Sequence, residues 1–127
     1  MNTVLTVYER RAKENRISVK ITAEGSRELS VLPQDLVVVI ANLFENAINA
    51  TVKLKSREKF IDIRIKESSK RLVIKVENPC KANLTFDESG FGVGISSVIA
   101  TTTKYEGMYD FTAEDGIFSA KIILNLK

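Results

Sequence analysis

Asn42, Asn46 and Asn49 stand within eight residues of the stretch ANLFENAINA (41–50), whose apolar residues recur at helical spacing. Asparagine is a weak helix former because its amide competes with the backbone for hydrogen bonds, so three of them oppose the element that carries them. At ~100° per residue Asn42 and Asn46 lie one turn apart and point the same way. A carboxamide offers a neutral hard oxygen, which suits Mg²⁺, and an amide nitrogen that donates to phosphate. Both services suit a nucleotide, and the plainer alternative is a solvent face rich in amides. A second cluster is SGFGVGISS, where Gly90, Gly92 and Gly94 are spaced by two and lead into a helix. Glycines there let the backbone approach a ligand, while the free N–H groups of a helix start attract anions. The spacing is neither the dinucleotide fingerprint nor a Walker loop, since no strand precedes it and no Gly-Lys-Ser/Thr follows. Between the two lies VENPC, at the end of an alternating strand. Asn78 there offers an acceptor and a donor side by side, as an adenine edge requires, or simply ends the strand in an Asn-Pro turn.

These residues need elements to position them. The pattern predicts an amphipathic helix from Asn2 to about Asn15, then a strand from Ile17 (ISVKITA), a loop over Gly25 to Ser30, and a long helix opened by Pro33 and running to about Leu54. On that helix Leu36, Val37, Val39, Ile40, Leu43, Phe44, Ala47 and Ile48 cover roughly half the circumference. Asp35, Asn42, Glu45, Asn46, Asn49 and Lys53 collect on the remaining arc. FIDIRIKE and RLVIKVEN alternate as a hairpin around Ser68-Ser69-Lys70. From Asn78 to Gly92 periodicity is lost; a short helix follows from about Val93 to Thr103. MYDFTAE and IFSAKIILNL then flank Asp115-Gly116, a favoured hairpin turn pair. Neighbouring hairpins favour an α+β two-layer sandwich, with a mixed, mainly antiparallel sheet and helices on one face.

Composition narrows the classes. With 127 residues, 44% of them hydrophobic, the chain suffices for one core, and residues 1–127 are expected to form a single domain. The net charge of +3 is too mild and scattered to argue for nucleic acid, and runs such as ERRAK and KLKSREK read as solvated helix ends. Cys80 is the one cysteine, so no internal disulfide forms; it reads as a small apolar wall residue in a reducing compartment. No signal-peptide pattern follows Met1, and no apolar run approaches the roughly 20 residues that cross a bilayer, so a soluble cytoplasmic piece without membrane contact of its own is expected. The absence of histidine removes a histidine phosphoacceptor from within the chain.

NLFENAINA, VEN and GFGVGI, in this order, resemble the N box and the two glycine boxes of the GHKL ATPase superfamily. The tail from Ile95 to Leu126 is similar to the last helix and two strands of the catalytic domain of sensor histidine kinases, particularly the quorum-sensing type that lacks an aromatic F box. The resemblance covers nearly the whole chain and implies the Bergerat, or GHKL, ATP-binding fold, with ATP and Mg²⁺ as cofactors. It implies that Asn46 is the metal ligand and that Asn42 contacts metal or phosphate, these two being the catalytic pair. Asn49 would lie toward the phosphates, Gly90, Gly92 and Gly94 would pass close to the triphosphate, and Ile95 would help to line the site. Relatives mostly carry Asp where Asn78 stands, to accept the adenine amino group, and often a basic residue where Asn49 stands. Modest ATP affinity is therefore expected unless Lys53 or Lys81 compensates. Hydrolytic relatives carry a general-base glutamate at the place of Asn42, and Glu45 projects about 100° away from Asn46, so phosphoryl transfer is favoured over hydrolysis.

The resemblance thus implies the catalytic part of a histidine kinase in two-component signal transduction. It would transfer the γ-phosphoryl group of Mg·ATP to a histidine on a separate dimerisation domain, with a response regulator downstream, and would not autophosphorylate alone. A chain starting inside a helix is expected to be a fragment of a longer, membrane-anchored kinase. Two alternatives remain: a degenerate GHKL docking module, suggested by Asn78-Pro79, and an anti-sigma-factor serine kinase of the same fold.

Overall fold

Strand alternation sorts this chain into a wet and a dry layer. In the computed structural model, which describes residues 3–25, 34–55, 58–68, 70–80 and 93–126, β2 (Phe60–Glu67) buries Ile61, Ile63 and Ile65. Its hairpin partner β3 (Arg71–Pro79) buries Leu72, Ile74 and Val76 on the same face. The opposite face carries Asp62, Arg64, Lys66, Lys75 and Glu77. A period of two therefore assigns one face to a core and the other to solvent.

The remaining elements are α1 (Thr3–Glu14), β1 (Ser18–Glu24), α2 (Gln34–Val52), α3 (Val93–Lys104), β4 (Met108–Glu114) and β5 (Ile117–Asn125). The five strands lie in the order β1-β2-β3-β5-β4. Among the described residues β1 and β2 alone pair in parallel, with α2 in the crossover between them, and the other three pairings are antiparallel. The three helices among the described residues cover the apolar face, α2 lying on β2 and β3 and against both other helices. The expected two-layer α+β architecture is what forms.

All eight apolar residues assigned to the buried half of α2 are buried, with Phe44, Leu36 and Ile48 fully so. At about 1.5–3 kcal/mol for each large aliphatic side chain removed from water, this helix is the main anchor between the layers. By length and composition α2 could cross a membrane, which the sequence reading had not anticipated, but most of it is buried inside the fold, as befits a core helix.

Local chemistry closes the elements. Arg16 (φ 58°) and Glu106 (φ 52°) are left-handed caps on α1 and α3. In each case the next residue's N–H returns to a carbonyl five residues back: Ile17 to Ala12, and Gly107 to Thr102. Asp115 and Gly116, at φ 51° and 78°, form the mirror-image turn that matches strand twist between β4 and β5. One boundary differs from the sequence reading. The strand does not end at Asn78, because Asn78 and Pro79 still pair with Phe118 and Ile117, and the Cys80 N–H donates to the Gly116 carbonyl at 2.8 Å. Proline lacks a ladder donor but not an acceptor, and it is tolerated as the last residue of the strand.

Candidate functional site

The polar arc of α2 divides into two halves. Asn42 and Asn46 are half-buried, one turn apart, and neither has a hydrogen-bond partner among the described residues. Glu45 and Asn49, also one turn apart, are held by α1. The Tyr8 hydroxyl donates to Glu45 Oε2 at 3.2 Å, and Arg11 Nη2 donates to Asn49 Oδ1 at 2.8 Å. Arg11 Nη1 lies 3.6 Å from Glu45 Oε1. The Tyr8 ring rests on Phe44 with centroids 5.8 Å apart. Residues three apart on α1 thus meet residues four apart on α2. Burial, then the Glu45 carboxylate beside it, pushes the Tyr8 hydroxyl above its ordinary range, so it stays a neutral donor. Glu45 is engaged with α1 and is not a free base beside Asn46, in keeping with its expected projection.

Asn78 sits on the face of β3 that α2 covers, next to Val76 and across from Phe118. It is 1% exposed. Its Nδ2 donates to the Pro79 carbonyl at 3.0 Å, and its Oδ1 is buried without a hydrogen-bond partner among the described residues. The amide cannot turn over, because that would set Oδ1 against a carbonyl oxygen. Asn78 therefore presents an acceptor only, and an unpaired buried acceptor costs about 1–3 kcal/mol.

Ile95 is 1% exposed and belongs to the common core, so any contact with a ligand would come from beneath the site. Gly94 is the second residue of α3. Gly90, Gly92 and Lys81 lie outside the described residues. Lys53 is exposed at the end of α2. Cys80 is half-buried, and burial raises its thiol pKa, which suits a wall residue and not a nucleophile. At the other end of α2, the Tyr105 hydroxyl reaches both oxygens of Asp35 at 2.8 Å, and Lys104 Nζ lies 3.2 Å from Oδ2. This tie fixes α3, which follows the glycine segment, against the start of the asparagine helix.

Sequence reasoning missed the grip of α1 on the polar arc. In the sequence Tyr8 is simply one residue of an amphipathic helix, and Arg11 belongs to the run ERRAK that reads as a solvated helix end. Their spacing of three was the available signal, but it points to a partner only once the α2 register is known.

Residues 31–125 match the model of the GHKL domain family, and the chain belongs to that family. No sequence among the curated proteins matches it. Among solved structures it is similar to the Acinetobacter baumannii histidine kinase AdeS, with a TM-score of 0.73 at 16% identity, covering 98% of this chain and 61% of that one. It is similar to the nucleotide-free catalytic domain of histidine kinase ThkA, with a TM-score of 0.70 at 16% identity, covering 96% and 88%. The histidine kinase domain from Erythrobacter litoralis EL346 blue-light activated histidine kinase gives a TM-score of 0.75 at 12% identity, over 97% and 59%. The chain thus spans about three fifths of the AdeS chain. Its fold is that of histidine kinase catalytic domains, and membership of the GHKL family supports nucleotide binding.

Proposed function

We propose that this chain is the ATP-binding catalytic domain of a sensor histidine kinase, of the quorum-sensing type, and that it is part of a longer, membrane-anchored protein. It binds Mg·ATP and presents the γ-phosphoryl group to a histidine on the parent's dimerisation domain, from which a response regulator is then charged. Asn46 supplies the amide oxygen for the metal, Asn42 contacts metal or phosphate, and Gly90, Gly92 and Gly94 line the triphosphate. Mg²⁺ when bound would neutralise phosphate charge and align the terminal group. It needs few protein ligands, since it keeps waters and takes phosphate oxygens, and one or two carboxamides suit it. The work of the chain's own residues is to position the nucleotide for transfer, since among the described residues no carboxylate stands free beside Asn46 to act as a base.

The observation that carries this reading is the buried acceptor of Asn78. An unpaired carbonyl oxygen held inward by its own amide group is complementary to an exocyclic amino group, as on adenine, and repels the carbonyl that guanine has at that position. The pair Asn42 and Asn46, without partners among the described residues, supports the phosphate end of the same ligand. The docking-module reading takes its motive from Asn78-Pro79, yet these two residues remain paired in the sheet, which keeps the acceptor in place.

Titration of the chain with ATP and GTP, with and without Mg²⁺, tests the proposal. Magnesium-dependent binding of ATP in preference to GTP is expected, and labelled ATP should yield phosphohistidine once the parent's acceptor domain is added. Absence of binding at millimolar ATP would overturn it.

A further inference from the structure

A triphosphate beside Asn42 and Asn46 meets an electrostatic difficulty. The polar arc of α2 carries Glu45 next to Asn46 and no basic side chain before Lys53. A carboxylate within one residue of the metal-binding amide repels a polyanion unless it is neutralised. The needed charge comes from another element. Arg11 on α1 bridges Glu45 and Asn49, with one nitrogen 2.8 Å from Asn49 Oδ1 and another 3.6 Å from Glu45 Oε1. Its side chain is 43% exposed, and a guanidinium has five N–H donors, so these contacts leave several of them open to solvent. Asn49 follows Asn46 by three residues, about 4.5 Å along the axis and within about 60° around it, so the guanidinium stands on the same arc as the amides of Asn42 and Asn46. The Tyr8 hydroxyl and the Tyr8–Phe44 contact fix the same turn of α1, which lies before the segment matched by the family model.

We infer that Arg11 is a phosphate-binding residue: it cancels Glu45 and offers its remaining donors to the terminal phosphates of the nucleotide held by Asn42 and Asn46. This rests on the nucleotide-binding reading proposed above. Asn49 then acts as the bracket that holds the guanidinium in place and not as a phosphate ligand itself. The N-terminal helix becomes part of the nucleotide site, so a displacement of α1 reaches the phosphates directly.

Arg11→Gln tests this, because glutamine can still donate to Asn49 while the charge is gone. Affinities for Mg·ATP, ADP and adenosine would be measured in the whole chain by calorimetry or NMR titration, at low and high salt. Arg11→Gln should weaken Mg·ATP about tenfold, as expected for a half-exposed charge-assisted contact, and leave adenosine unchanged. The salt dependence of ATP binding should flatten, and Arg11→Lys should restore part of the loss. An equal loss for ATP and adenosine would mean that α1 only props up α2, and an unchanged ATP affinity would mean that Arg11 does not reach phosphate; either overturns the inference. Failure of the wild-type chain to bind adenosine and ATP alike would instead remove the nucleotide reading, and this inference with it.

Discussion

Replacing Asn78 by leucine should separate folding from binding. The side chains share a branched shape, but leucine is the bulkier, so at a site 1% exposed it opens no cavity and instead overpacks the core at a cost of about 1 kcal/mol. The wild-type residue carries a buried Oδ1 without a partner, which costs about 1–3 kcal/mol, and gains about 1 kcal/mol from the bond of Nδ2 to the Pro79 carbonyl. Removing both, set against the overpacking, leaves Asn78→Leu within about 1 kcal/mol of the wild type in either direction, a change in Tm of no more than roughly 4 °C for a domain of this size. Binding should respond more strongly. A site that has lost its acceptor no longer selects the amino group, so affinity should fall at least about thirtyfold, and by the same factor for ATP, ADP and adenosine, because the loss is at the base. Urea denaturation and calorimetric titration on the same preparation measure both. A variant that is destabilised by more than about 2 kcal/mol yet binds ATP normally would refute the assignment of Asn78 as a residue kept for a ligand at the expense of the fold.

Asn46→Ala should abolish magnesium-dependent nucleotide binding while leaving the chain as stable or up to about 0.5 kcal/mol more stable, since alanine is the better helix former at a half-buried position; thermal melts with and without Mg·ATP read both. Burial alone would raise the Asp35 pKa, but hydrogen bonds from Tyr105 and Lys104 and the Lys104 charge hold it below its ordinary value. Its contribution is therefore present above about pH 4, the unfolded value, and is lost as pH falls through the lower folded one. Asp35→Asn should remove that part of the acid limb in a stability profile from pH 6 to 2; an unchanged profile would contradict the tie. Gly107→Ala should cost about 3 kcal/mol or more by urea denaturation, because a Cβ there would collide with the backbone carbonyl of Ile123 and neither backbone can yield.

Periodicity made the architecture legible because the burial that decides it is local in sequence. The alternation of FIDIRIKE and RLVIKVEN, and the half-apolar circumference of the long helix, name their own core faces, and the Asp115-Gly116 pair names its turn. The end of β3 was misread for a physical reason: Asn-Pro ends strands only when nothing pairs beyond it, and here β5 continues to Ile117. The site was legible as residue types and not as contacts. Asn42 and Asn46 announce themselves by opposing helix propensity. Arg11 does not, because a charged residue on a helix is compatible with any surface, and its partners lie 34 and 38 positions away. Gly107 was equally silent, since its constraint is the approach of another strand and not a positive φ.

The polar arc of α2 explains why one helix can be both an anchor and a reader. Its apolar half is fixed by the sheet, which removes freedom that a ligand would otherwise have to remove on binding. Its polar half could have been solvated uniformly; instead α1 takes up Glu45 and Asn49, and the amides of Asn42 and Asn46 have no partner among the described residues. If the two helices served stability alone, the amides would be as well replaced by alanine or lysine, and Asn78 by an aliphatic residue. Two helix amides without partners among the described residues, and one strand-end amide whose oxygen is unpaired, each oppose the local preference of the element that bears them. Such agreement among separate local costs is expected where one ligand meets all three, and it is what the Asn78 and Asn46 variants are designed to break apart: each should stabilise or spare the fold, and each should lose the nucleotide from a different end.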